Sequence, residues 1–176
     1  RDDLDAAFEE TLALMREGTT GIYQGVLLSD SLVGMPDLLI RVEGASRLGS
    51  HHYTVGDVKI SRRARSDQAL QVAFYAHLLG LAQGRIPDRL FLLLGDGREE
   101  WFAYEEVGGA FDQVLADLTA LRDRRCETEA FLQPSCSSCP WRGLCLPDLK
   151  ARGDLSLIPG MTPSRRNAKN SPTEPM

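Results

Sequence analysis

In an extended strand successive side chains point to opposite faces, so Asp57 and Lys59 project together while Val58 and Ile60 turn toward a core. Asp37 opens the preceding strand directly after the turn Gly34-Met35-Pro36, a place from which its carboxylate reaches the Asp57 strand. Two carboxylates a few ångströms apart raise one pKa unless a cation neutralises them, so the pair is either protonated or a metal site. Hard oxygen donors of this kind suit Mg²⁺ or Mn²⁺, with the main-chain carbonyl of Val58 as a further ligand. An ion so held polarises a phosphate and lowers the pKa of a bound water. Lys59 then positions that water or meets the charge developing on the phosphoryl oxygens. Gln71 and Tyr75 are four apart, hence on one helical face close to the acids. Taken singly, a Pro-Asp is a turn acid and an Asp-x-Lys a solvated ion pair of little weight. Their order along the chain, strand acid, then strand acid-x-Lys, then helix, is what points to chemistry.

The elements that must position these groups follow from hydrophobic period. Leu4, Phe8, Leu12 and Met15 recur at helical spacing over the first 16 residues, and Gly18 ends that helix. Ile22 to Leu28 is β-rich, Asp37 to Val42 is a second strand, Gly44 and Gly49 bracket a loop, and Tyr53 to Ile60 is a third strand. Ser66 or Asp67 caps a helix that runs through Gln71 and Tyr75 to Gly80. Arg89 to Leu94 reads as a strand buried on both faces. Asp96-Gly97 reads as a hairpin turn before Trp101 to Tyr104. Phe111, Val114, Leu115, Leu118 and Leu121 form a long helix. The expected class is α/β, a mixed sheet with helices packed on it.

All four cysteines fall between 126 and 145, in a Pro/Ser/Arg-rich stretch without a clear period. Cys136-x2-Cys139-x5-Cys145, with Cys126 before it, is a thiol array that suits a metal better than disulfides in a reducing compartment. Zn²⁺ and an iron-sulfur cluster both accept four thiolates, and spacing does not choose between them.

Gly34-Met35-Pro36-Asp37, then Gly56-Asp57-Val58-Lys59, then Gln71-x-x-x-Tyr75 resemble the successive motifs of PD-(D/E)XK nucleases of the RecB-like branch, over about residues 20 to 105. The resemblance implies a restriction-endonuclease-like core: a mixed central sheet flanked by helices, with a C-terminal cysteine cluster module. It implies metal binding by Asp37 and Asp57, catalysis by Lys59, and Gln71 and Tyr75 beside the site and the DNA. The branch usually adds a His or acid on an upstream helix. No histidine precedes His51 here, and Glu9 and Glu10 on the first helix are the substitutes at hand. Three cysteines after the nuclease core resemble the array of RecB-like nucleases that carry a 4Fe-4S cluster, CRISPR-associated exonucleases among them. Their fourth ligand lies far upstream; here that role falls to Cys126 or to a preceding segment, since the chain opens at Arg1 and reads as part of a longer protein. Asp154 to Met161 is similar to the segment after the cysteines in a family of RecB-like proteins that continue into a helicase or RNase H-like domain.

The expected division is therefore a nuclease core at 1–125, a cysteine module at 126–161, and a disordered or truncated tail at 162–176. The implied activity is hydrolysis of DNA phosphodiester bonds. Single-stranded or duplex ends are the substrate, in repair, recombination or CRISPR-type processing. An RNA substrate on the same fold is one alternative, and a catalytically silent iron-sulfur scaffold that binds nucleic acid beside a helicase is another. Arg62, Arg63 and Arg65 follow Lys59 and offer phosphate contacts next to the acids. The bulk charge does not do this: 25 acids against 20 bases give a net charge of −5, which excludes a protein that coats nucleic acid by charge alone. With 43% apolar and 26% charged residues, the 176-residue chain is neither wholly disordered nor short of a core. No apolar run approaches the roughly 20 residues of a membrane span and no leader opens the chain, so the expectation is a soluble, cytoplasmic protein without a membrane partner. His51 and His52 are expected on a surface loop and His77 in a structural place. Trp101 is expected in the core and Trp141 as a shield for the cluster.

Overall fold

The computed structural model describes residues 2–29 and 31–170. Helix α1 (Asp2–Glu17) forms on the Phe8, Leu12 and Met15 stripe and stops where Gly18 takes a left-handed φ of 76°. The β-rich stretch that follows is two strands, not one: β1 (Gly21–Tyr23) and β2 (Leu27–Ser29) are separated at Gln24, whose φ is 50°. Strand β3 (Leu32–Gly34) pairs only with β2, as a small antiparallel ribbon. Strands β4 (Leu38–Ser46) and β5 (Gly49–Val58) make one long hairpin, with a register shift between Glu43 and Ser46 where Gly44 sits at φ 134°. The sequence reading placed a loop between Gly44 and Gly49. The bulge takes in Gly44 and the turn is only Arg47-Leu48, so Gly49 already pairs with Ser46.

Helix α2 (Ser66–Gln83) crosses to β6 (Arg89–Leu93), which runs parallel to β5; β7 (Glu99–Ala103) returns antiparallel after the expected Asp96-Gly97 turn. The five-stranded sheet has the order β1-β4-β5-β6-β7 and is mixed. Helix α2 runs three residues past Gly80. Gly80 lies within the helix because Ile86 packs against it, and the stop falls at Gly84, with φ 72°. Gln83, at the end of α2, is fully buried: its side chain accepts from the Tyr53 N–H at 2.7 Å and donates to the Tyr53 carbonyl at 3.0 Å, fastening helix to sheet. Leu39, Tyr53, Val55, Leu90 and Leu92 share one sheet face. With Met15 of α1, Val72, Ala76 and Leu79 of α2 and Phe111 of α3 (Tyr104–Arg122), they form the core.

The backbone divides into two units, one up to Thr119 and one from Ala120, close to the expected boundary at 125. The second unit holds two short 3₁₀ turns (Pro134–Ser137 and Leu155–Leu157), α4 (Arg142–Ala151) and α5 (Pro163–Asn170). The disorder expected from residue 162 onward is corrected for 163–170. Arg166 of α5 is buried, paired with Glu129 at 3.2 Å and Asp154 at 3.4 Å, and stacked over Phe131. Few apolar residues are needed when one arginine supplies the anchor. The remainder of the expected disordered or truncated tail, 171–176, lies outside the described residues.

Asp154 accepts from the Ser156 N–H at 2.8 Å, and this bond, with the facing arginines, holds its carboxyl below the ordinary range. Its folded pKa lies under the unfolded one, so the stability it adds is present above the unfolded value and is lost as pH falls through the folded value. Amides of 155–166 are therefore expected to lose hydrogen-exchange protection below about pH 4. Asp154→Asn should show that loss already at neutral pH. Equal protection in the variant would contradict the anchor.

No described helix is long and apolar enough to cross a membrane. Three further expectations are corrected. His51 and His52 lie in β5 and are buried; His51 Nε2 pairs with the Met15 carbonyl at 2.9 Å and His52 Nδ1 with that of Gly44 at 3.2 Å. Trp101 is on the edge strand β7, partly exposed, its ring stacked on Phe91 at 4.6 Å, and is not a core residue. Trp141, expected against the cysteines, has most of its side chain exposed just before α4. His77 packs its ring 5.4 Å from Phe111, in the structural place expected.

Candidate active site

Pairing between β4 and β5 ends with Leu38 opposite Gly56, Asp37 and Asp57 are the next residues on the two segments, and their carboxyls interact. The sequence reading of the faces is reversed here. Asp57 lies on the α2-covered face with Val55 and is 3% exposed, whereas Val58 and Ile60 face solvent. The reason lies in α2. Its Gln71 takes the Lys59 ammonium at 2.7 Å and donates to the Tyr75 hydroxyl at 2.8 Å, so Lys59, and with it Asp57, must point to the helix. Gly34 allows this packing, since a Cβ there would come within 2.9 Å of the Tyr75 ring.

Asp37 Oδ2 accepts from the Val58 N–H at 2.8 Å, which fixes that carboxylate against the end of β5. Asp57 Oδ2 is buried, and the Lys59 ammonium meets it as an ion pair. Burial raises the pKa of Asp57 above the ordinary value; Lys59 pulls it down and the facing Asp37 carboxyl pushes it up. The five residues singled out from the sequence, Asp37, Asp57, Lys59, Gln71 and Tyr75, thus stand together at one end of the sheet. A buried carboxylate beside a second carboxylate is a donor set that fits a hard divalent cation, which takes one or two protein carboxylates and keeps waters. Glu9 and Glu10 are exposed on α1 and do not join them. Among the described residues no group of three or more His, Cys, Asp or Glu side chains is gathered to hold a metal ion.

The loop after Lys59 is held by the β6–β7 hairpin. Gly95 N–H donates to the Ser61 carbonyl at 3.0 Å, Arg98 donates to the Arg62 carbonyl at 2.8 Å, and Gln68 donates to the Ser61 hydroxyl at 3.2 Å. A Cβ on Gly95 would fall inside the van der Waals radius of the Ile60 carbonyl oxygen, so only glycine lets the loop lie there. Sequence reasoning missed Gly95 and Arg98. The only signal was their place around an Asp-Gly turn, which reads as a turn and nothing more. Gly95→Ala is expected to displace the loop and Lys59 with it, lowering any cleavage activity by about 10²-fold while the far-ultraviolet dichroism stays native. Full activity would mean that the loop does not set Lys59.

Arg62, Arg63 and Arg65 are all exposed on this loop. Arg65 is paired with Asp67 at 3.0 Å, whereas among the described residues no acid pairs with Arg62 or Arg63. In the second unit, Cys136 sits in a 3₁₀ turn, Cys139 in the following turn and Cys145 in α4; Cys126 is exposed. Cys136 Sγ receives the Gln133 N–H at 3.5 Å and faces the Phe131 carbonyl at 3.7 Å. The thiols suit a soft ion by their chemistry, but they are not gathered around one point.

No protein-family model matches the chain, and no curated protein sequence matches it.

Proposed function

We propose that the unit up to Thr119 is a metal-dependent nuclease of the PD-(D/E)XK kind that hydrolyses phosphodiester bonds of DNA. The observation that carries the reading is the contact between the Asp37 and Asp57 carboxyls at the end of the β4–β5 pair, with Lys59 ion-paired to Asp57 and held by Gln71. Asp37, Asp57 and the Val58 carbonyl are the groups that would hold Mg²⁺ or Mn²⁺. When bound, such an ion supplies Lewis acidity toward a phosphoryl oxygen and a water of lowered pKa. Gln71 keeps the Lys59 ammonium at the mouth of the site, where it donates to the attacking water or to the phosphoryl oxygens as charge builds on them. Tyr75 orients Gln71 through its hydroxyl. Arg62 and Arg63, unpaired among the described residues, meet the flanking phosphates.

Single-strand ends are the proposed substrate and an exonuclease the proposed mode, in repair, recombination or CRISPR-type processing. Cys136, Cys139 and Cys145, with Cys126 or a ligand from a preceding segment as the fourth, are proposed to bind a structural 4Fe-4S cluster, with Zn²⁺ as the alternative, and a helicase or RNase H-like domain is the proposed companion. A second reading, a silent nucleic-acid-binding scaffold, draws on the absence among the described residues of a third acid beside Asp37 and Asp57. End-labelled single-stranded DNA and RNA of one sequence, incubated with the chain and Mn²⁺, separate the readings. Shortening of DNA, stopped by a chelator, supports the nuclease; retention of DNA without shortening supports the scaffold; shortening of RNA alone moves the substrate to RNA.

A further inference from the structure

Ile60 is 98% exposed, one residue beyond Lys59. A single exposed aliphatic residue on a mobile surface needs no explanation. Ile60 is different because the chain beneath it is fixed: its carbonyl lies against Gly95, the Ser61 carbonyl accepts from the Gly95 N–H, and Arg98 holds the Arg62 carbonyl. The fold therefore spends backbone order on presenting an apolar side chain to water. On the other acid-bearing segment Met35 is 57% exposed, two residues before Asp37. Met35 lies between β3 and β4 and Ile60 just past β5, so both apolar residues stand on the segments that carry the acids, which Asp37 joins by accepting from the Val58 N–H. The cations beside them, Arg62 and Arg63, are exposed and have no acid partner among the described residues, which favours a polyanion over an apolar protein surface.

We propose that Ile60 is an apolar wedge that enters between the two bases flanking the phosphate that a divalent ion at Asp37 and Asp57 would hold, with Met35 closing the opposite side. The proposal rests on the nuclease reading for the position of that phosphate. Aliphatic side chains of this type part a base step when charged neighbours fix the backbone on either side. Ile60 thereby sets which phosphate enters the site, and it selects strands whose bases unstack readily, single strands and frayed ends, over continuous duplex.

The test uses the full chain with Lys59→Ala and Mn²⁺, so that both acids are kept and the strand is not cut, and a series of single-stranded oligonucleotides carrying the fluorescent base 2-aminopurine at successive positions. Binding is expected to raise the fluorescence as the base unstacks. Adding Ile60→Ala should remove most of that rise, Ile60→Leu should keep it, and affinity, set by the arginines, should change by less than about 3-fold. An unchanged rise with Ile60→Ala, in a chain whose wild type cuts DNA, overturns the wedge alone. An Ile60-dependent rise in a chain whose wild type never cuts keeps the wedge and overturns the nuclease. A full chain that binds no DNA overturns both.

Discussion

Asp57→Asn is expected to slow Mn²⁺-supported cleavage of single-stranded DNA by at least about 10³-fold, on the order of 4 kcal/mol of transition-state stabilisation. The substitution keeps the shape of a buried side chain and removes the charge that Asp37 and Lys59 both face. Binding of DNA should persist, because the arginines that meet the strand lie on the separate loop at 62–65. Lys59→Ala should fall to a similar level. Gln71→Ala should retain more activity, since it frees the ammonium that now sits at 2.7 Å from the amide oxygen without deleting it. Its loss is expected to be about 10-fold to 10²-fold, the range seen when an orienting partner is removed. Initial rates on an end-labelled strand, with retention of the same strand measured in parallel, check all three. Wild-type rates in Asp57→Asn would remove the acid pair from the chemistry.

Replacing Cys139 with Ala is expected to abolish stoichiometric iron in anaerobically purified protein and to strip hydrogen-exchange protection from residues 132–151. Near-complete loss follows if the thiols are the second unit's main tie. That stretch buries only one side chain of any size, Leu149, and a bound structural metal is then worth more than the local packing. The first unit has its own core around Leu39, Val55 and Leu79 and should keep its protection. One zinc per chain in place of iron would change the group but not the role. Metal-free protein with native protection around Cys145 would show that Arg166 and its acids hold the unit without it.

The long periodic elements were readable because each answers to one local rule: α1 to its stripe, β6 to its continuous apolar run, and the β6–β7 turn to Asp96-Gly97. The five site residues were readable because their types and order are chemically unusual for strand and helix surfaces. The faces of β5 were not. Alternation assigns Val58 and Ile60 to the core by hydrophobicity, but the direction of Lys59 is fixed by Gln71, which comes from an element twelve residues away. The buried histidines were missed because the expected loop shrinks to a bulge at Gly44 and a two-residue turn at Arg47-Leu48, so β5 begins at Gly49 and takes His51 and His52 into the sheet. Helix α5 was missed because its anchor is an ion pair network across the sequence rather than an apolar stripe.

The most direct test of the central claim is the binding of Mn²⁺ to the full chain, followed by electron paramagnetic resonance of the free ion. One bound Mn²⁺ per chain in the wild type, lost in Asp37→Asn and in Asp57→Asn and kept in Ile60→Ala, is the predicted result. Equal Mn²⁺ binding by the wild type and the two Asp variants would contradict it.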